Sequence, residues 1–431
     1  WLTRDRRYVV KSFVGVNDSR AEHGRFSDER YRREKKFLQH TVSLPGSGDA
    51  ALTTPYLVAS DDDLRILVMN NVVGKTDNSD RYYNIAELIS TADPEAPDTL
   101  DGMKEWLARW MHGLAVLQAS EPMDDETYSV QGDLRRTYDH VRFLHLRDFD
   151  VSEWTEALRL FNVWQKAHRS MPVAANGDFA PLNFIISGER DVLIDGEYTG
   201  VAPAEKDLAT ALVRLHQMNM RTLYIRPNRV FEKNFPELIE YALASYLRRS
   251  GRSVDMTAVY FFMAQDFMQR AYDQILFKND DLSPRLYLEL SRAYLQEMRR
   301  SMAGRSGDDS LGTVAAKVFH DARKYSELLD ALRWRKISPE QLDELMGEKY
   351  ADTLERHLAR FILDREAAVR ENAFAALRNL GYDLMGGYDL ARDYRYVAYR
   401  MFQAGDIELA ITLLRHALAL HGHGPGAYAP Y

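Results

Sequence analysis

The chain contains no cysteine at all. That removes disulfides, thiolate nucleophiles and cysteine-ligated zinc together. It also lacks any run of about 18 apolar residues, so nothing in it reads as a membrane span. No basic stretch followed by an apolar one opens the sequence, so no secretion leader is expected. Charge of one sign is not in large excess: 56 Lys and Arg face 64 Asp and Glu, a net of −8, which argues against a broad nucleic-acid coat. What is present is ordinary for a globular protein. The 431 residues are 45% hydrophobic and 28% charged, enough for two or three domains and incompatible with a collagen-like or wholly disordered chain. A cytoplasmic protein is the expectation.

Residues 7–14 are β-branched and aromatic and read as a strand, so the sequence is expected to open partway through a domain. Residues 17–27 are polar and read as a loop, and from Asp28 a helical period carries Tyr31, Glu34, Phe37 and Leu38. Two further strands, 55–59 and 64–69, flank an acidic turn at 60–63. Strand, helix, strand, strand makes a small α+β lobe, here taken as 1–92. Beyond Asp93-Pro94 the pattern changes to long amphipathic helices, as at 100–119, where Met103, Trp106, Leu107, Trp110, Leu114 and Leu117 keep a helical period. Two short strands, 183–187 and 192–195, interrupt that pattern, and 207–300 reads as nearly all helix. The Gly- and Ser-rich stretch 301–313 is the best linker, followed by a helical, possibly repeat-like domain at 314–420 and a flexible tail at 421–431.

The densest polar information lies between Asn176 and Asp207. Asp178 and Asn183 stand five apart on a Pro-containing loop, and Asp195 ends the second short strand with Glu197 beside it. Two carboxylates and an amide at the ends of paired strands can converge on a small volume. Phosphoryl transfer needs that set: a carboxylate to orient the nucleophile and oxygen ligands for Mg²⁺. Upstream, Lys11 is an isolated cation in an apolar strand, and Glu34 on the following helix can partner it. Each feature alone is commoner as a turn, an edge lysine or a solvated helix face, and the basic stretch 30–36 reads as such a face.

Taken in order, these residues resemble the aminoglycoside phosphotransferase and choline kinase-like branch of the protein-kinase-like superfamily. The carrying residues are Val9-Val10-Lys11, Arg33-Glu34, Leu67-Val68-Met69 with Gly74, Asn176-Gly177-Asp178 with Pro181 and Asn183, Ile194-Asp195-Gly196-Glu197, and Pro203 with Asp207-Leu208-Ala209. The resemblance spans roughly residues 1–300. It implies a two-lobed α+β fold with ATP and Mg²⁺ as cofactors. It implies that Lys11 contacts the nucleotide phosphates and is held by Glu34, and that Met69, Asn70, Asn71 and Val72 face the base. Asp178 is implied as the catalytic base, Asn183 and Asp195 as metal ligands, and Asp207 as a support of the catalytic loop. Two positions depart from the family pattern: Asn176 stands where the family has a histidine, and Gln118 follows Leu117 where it commonly has another. With Lys11 so near the start, the loop expected to cover the phosphates is absent or precedes the sequence given.

The expected architecture is therefore a kinase-like N-lobe (1–92), a helical C-lobe (93–300), a linker and a helical C-terminal domain. The expected activity is phosphorylation of a hydroxyl on a small molecule of sugar, aminoglycoside or amino-alcohol type. Two alternatives stay open at this level: a non-catalytic pseudokinase whose C-terminal helices bind a protein, and a kinase acting on a protein or glycan.

Overall fold

The computed structural model describes residues 8–13, 21–39, 51–71, 83–121, 128–146, 151–168, 172–187, 190–219, 228–277, 284–304, 310–317 and 411. The chain divides into two compact units, one of residues 1–138, 153–266 and 291–317, the other of 139–152, 267–290 and 318–431. In the second unit, His140 stacks on Tyr272 at 4.1 Å and Phe143 meets the same ring edge-on at 4.8 Å. Except for 314–317 and 411, the helical domain expected at 314–420 lies outside the described residues, as do the tail at 421–431, Val72 and Gly74.

In the first unit a small sheet is built from β1 (Tyr8–Ser12), β3 (Leu57–Asp61) and β4 (Ile66–Asn70), in the order β1-β4-β3 and antiparallel throughout. Its central strand alternates as a half-buried strand must, with Leu67 and Met69 inward. The turn between β3 and β4 is closed by Asp61, whose Oδ1 accepts the Leu64 amide at 2.9 Å. Helix α1 (Ala21–Gln39) begins seven residues earlier than its apolar period suggests. The polar stretch through Gly24 continues the helix and is not a loop. Tyr31, Glu34, Phe37 and Leu38 are its buried face, and Tyr31 and Lys35 both bind Asp62 in the β3–β4 turn, Lys35 at 2.5 Å.

A second sheet runs β2-β8-β7-β5, where β2 is Ala51–Thr53, β5 Tyr83–Asn84, β7 Phe184–Ser187 and β8 Arg190–Leu193. Strand β2 pairs with β8 in parallel, while β5 and β7, and β7 and β8, are antiparallel. A third, two-stranded ribbon joins β6 (Pro172–Ala175) to β9 (Gly200–Pro203). The short strands β2, β5, β6 and β9 have too few residues to show a period and are not evident in the sequence.

The helices are α2 (Ile85–Thr91), α3 (Thr99–Ala119), α4 (Val130–His145), α5 (Ser152–Ala167), α6 (Ala204–Asn219), α7 (Arg229–Lys233), α8 (Phe235–Ser250), α9 (Met256–Phe277) and α10 (Pro284–Met302). Asn84 caps α2 by accepting the Glu87 amide at 2.9 Å, and Gly251 ends α8 in the left-handed region at φ 59°. The aromatic run Tyr260-Phe261-Phe262-Met263 is core, with Phe261 stacked on Phe161 at 3.6 Å. Within the segment expected as a linker, Leu311 is buried and the Gly312 amide donates to Glu240 Oε2 at 2.7 Å. A small strand lobe and a larger helical region, the fold class expected, are both present.

Helix α3 supports the β7–β8 hairpin through Gly113: a Cβ there would lie 2.3 Å from the Phe184 ring. Gly113→Ala should gain up to ~1 kcal/mol of helix propensity and lose ~1–3 kcal/mol to overpacking. The expected net effect is a lower midpoint in urea unfolding, and an unchanged or raised midpoint would refute the contact.

Candidate active site

Helix α6 organises the site. It is buried almost throughout, yet it carries Asp207, Arg214, His216, Gln217 and Asn219 into the interior. Residues seven apart on a helix share a face, so Asp207 and Arg214 project together. Asp207 accepts the backbone amides of Asn176 (2.7 Å) and Gly177 (2.9 Å) through its two carboxylate oxygens. Burial pushes its pKa up to about 6 despite those two bonds. Gly177 sits at φ 76° with the Tyr198 carbonyl 2.5 Å from where a Cβ would be, so only glycine fits. The loop that follows β6 is thereby held by its backbone.

Arg214 holds the same loop by a side chain. Its Nε donates to Asp178 Oδ1 at 3.0 Å, its Nη2 reaches the same oxygen, and its Nη1 donates to Gln217 Oε1 at 2.7 Å. Asn183, closing a 3₁₀ turn at Pro181–Asn183, donates its Nδ2 to the Asp178 carbonyl at 3.1 Å. Asn176 ties two segments together. Its Oδ1 accepts the Asp178 amide and its Nδ2 donates to the Asp195 carbonyl, each at 3.3 Å. An amide thus bridges the loop where the family pattern has an imidazole. Gln118 is likewise engaged, donating to the Ala204 carbonyl at 3.1 Å and accepting from Tyr246 at 2.5 Å.

Asp195 lies two residues past β8 at φ 65°, a left-handed conformation that Asp tolerates better than most residues. Gly196 follows because the Phe37 ring of α1 occupies its Cβ position, 2.1 Å from the ideal atom. Phe37 and Glu34 share a helix face, so the same docking brings Glu34 to Lys11. The Lys11 ammonium lies 2.6 Å from Asp195, 3.4 Å from Glu34 and 3.6 Å from Glu197. Arg30 binds the other Glu197 oxygen and lies over the Tyr198 ring at 5.2 Å. Three carboxylates and two cations form one cluster. Arg30 is therefore not part of the solvated face that the basic stretch 30–36 suggests. Glu34 is 1% exposed, and burial raises its pKa to about 7, against the opposing pull of Lys11.

Of the residues expected to face a base, Met69 is buried on β4 and the Asn70 side chain is committed to the Tyr56 amide at 2.6 Å. Asn71 follows the strand, and Val72 lies outside the described residues. Sequence reasoning missed Arg214, Arg30 and a role for Glu197. Arg214 could have been found from its seven-residue spacing to Asp207, whereas Arg30 sits one helical turn before Glu34 among other basic residues and carries no mark of its own.

The donor set suits Mg²⁺. With Nδ2 committed, Asn183 retains its amide oxygen, and Asp195 is a carboxylate one-third exposed that already attracts a cation. Among the described residues no three His, Asp or Glu form a ready-made metal cluster. Magnesium is ordinarily held by one or two protein oxygens together with substrate phosphates, so two donors suffice.

No family model matches the sequence, and no curated protein matches it. Solved structures do resemble the chain. A choline/ethanolamine kinase family protein from Mesorhizobium loti aligns over 74% of this chain and 89% of its own, at 14% identity and TM-score 0.44. A choline kinase from Streptococcus pneumoniae aligns over 69% and 86%, at 15% identity and TM-score 0.40. An aminoglycoside phosphotransferase from Streptomyces rimosus aligns over 62% and 87%, at 14% identity and TM-score 0.36.

The Glu34 shift has a definite sign. Its folded pKa, about 7, lies above the ordinary 4.5, so its contribution to stability is full below pH 4.5 and is lost as pH rises to 7. That gap corresponds to about 3 kcal/mol. Glu34→Gln should therefore gain thermal midpoint relative to the unmodified protein as pH is raised across that window, and hold a constant difference above it. A difference that does not vary with pH would show that Glu34 is not buried as the structure has it.

Proposed function

We propose that the protein is an ATP- and Mg²⁺-dependent phosphotransferase that phosphorylates a hydroxyl group of a small molecule. The observation that supports this reading best is the Lys11–Asp195 contact at 2.6 Å, with Glu34 behind the lysine. It joins a strand lysine of the small sheet to the loop carboxylate that follows β8. On the neighbouring loop, Asp178 is fixed by backbone and side-chain bonds. A phosphate-binding cation, a metal-binding carboxylate and a proton-accepting carboxylate are the parts that phosphoryl transfer requires.

In this reading Lys11 exchanges Asp195 for the nucleotide's phosphates, which frees Asp195 for the metal. Glu34 and Glu197 keep the ammonium on the correct side while that exchange occurs. Asn183 and Asp195 would hold Mg²⁺, which would supply neutralisation of the phosphate charge. The adenine would lie along the β4 end at Met69 to Asn71, where both the amide and the side chain of Asn70 are already bonded to Tyr56. Asp178 orients the acceptor hydroxyl and takes its proton as the acceptor oxygen bonds to the γ-phosphorus and the bond to the ADP oxygen breaks. Positioning and charge do most of this chemistry, so a site already fixed by hydrogen bonds is suited to it. The reading that invokes a protein or glycan acceptor rests on the C-terminal region, nearly all of it outside the described residues, and the scaffold reading draws on that region and on the Asn176 departure and the phosphate-covering loop.

The test is thermal unfolding with ATP, with and without Mg²⁺, followed by ADP release in an acceptor screen. At ~100 times its dissociation constant the nucleotide should stabilise by ~2.7 kcal/mol. The Mg²⁺-dependent part should vanish in Asp195→Ala. Asp178→Asn should keep the nucleotide shift and lose ~10²–10⁴ in turnover. No shift in the unmodified protein would overturn the proposal, and a shift without turnover on any acceptor would replace it with a nucleotide-binding, non-catalytic role.

A further inference from the structure

The charge beside Asp178 points to the kind of acceptor. The primary ammonium groups of an aminoglycoside or ethanolamine are met by carboxylates, and the quaternary group of choline by aromatic faces. Here the carboxylate at the acceptor end is already paired with Arg214, and the two charges sum to zero. Arg214 is itself nine-tenths buried, its side chain 10% exposed. Of its five N–H donors, three are accounted for: Nε and Nη2 on Asp178, and Nη1 on Gln217. One N–H on each terminal nitrogen is left without a protein partner among the described residues. Buried guanidinium donors are rarely left unmet, and a pair on the two terminal nitrogens is what binds a carboxylate or phosphate two-pronged. Lysine could not do the same, because it lacks the planar fork.

We infer that the acceptor is a hydroxyl compound bearing an oxyanion, a carboxylate or a phosphate, near the hydroxyl that reacts, and that Arg214 recognises it. The inference rests on the phosphotransferase reading and narrows it. Arg214 then does two things with one planar group: it fixes the base from one side and seats the acceptor's anion on the other. Ammonium-bearing acceptors meet a cation at the place where they need an anion.

The experiment uses the full chain with Mg²⁺-ATP and follows ADP release with three sets of acceptors at equal concentration. These are sugar acids such as gluconate and glycerate, sugar and glycerol phosphates, and the ammonium compounds choline, ethanolamine and kanamycin. Turnover should appear with one of the first two sets, which also distinguishes carboxylate from phosphate, and not with the third. In Arg214→Met the acceptor KM should rise by about 10–100-fold with the ATP KM unchanged, because a group left unmet in a polar site weakens binding steeply. Arg214→Lys, which keeps the charge and the fold but not the fork, should show the same split. Turnover confined to ammonium acceptors, or an acceptor KM unmoved in both variants, would overturn the inference while leaving the phosphotransferase reading intact. If Mg²⁺-ATP binds but nothing turns over, a thermal shift by the oxyanion compounds that is absent in both variants still supports it, and no such shift overturns it. Failure to bind Mg²⁺-ATP removes the broader reading, and this one with it.

Discussion

Two hydrogen bonds to one buried carboxylate hold the active-site loop in place. Asp207 takes the amides of Asn176 and Gly177, and everything downstream depends on that grip. Asp178 is the next residue, so its side chain is aimed by a backbone that cannot rotate. The glycine between them is required because the Tyr198 carbonyl fills the space a side chain would use. A carboxylate buried this deeply is unfavourable alone. It is tolerated because it accepts two backbone donors that would otherwise be unmet.

The second constraint is charge balance. Lys11 and Arg30 face Asp195, Glu34 and Glu197, while Arg214 faces Asp178, so each functional carboxylate starts with a cation against it. In the proposed reading, fixed charges of this kind would need little rearrangement when a triphosphate and a divalent ion arrive. They exchange partners without being newly assembled. The raised pKa of Glu34 follows from the same design, since the residue that steadies Lys11 is the one furthest from water.

Much of this was legible in the residues. The order of Lys11, Glu34, Asp178, Asn183 and Asp195 indicated the lobes, and the periodic helix at 100–119 was clear from its apolar spacing. Strands β2, β5, β6 and β9 were not, because two to four residues display no alternation, whereas the equally short β7 and β8 were marked by the Gly-containing turn between them. The start of α1 was missed because its first turns are polar and contain Gly24, so the apolar period begins only where the helix meets the β3–β4 turn. Arg30 was invisible for a different reason. Its meaning lies in a partner 167 residues away, and no local pattern marks such a long-range ion pair.

The parallel pairing of β2 with β8 bears on how the chain acquires its structure. Ala51 meets Arg190, and β5 closes the opposite edge of the same hairpin from a position after the small sheet. The hairpin that leads into Asp195 is thus flanked on both edges by strands from the first hundred residues. Contacts of such sequence separation carry a large loop-closure entropy and form late. During synthesis the early strands must wait, unpaired, until more than a hundred further residues have emerged. Chain order therefore makes completion of the turn that carries Asp195 one of the last events of folding.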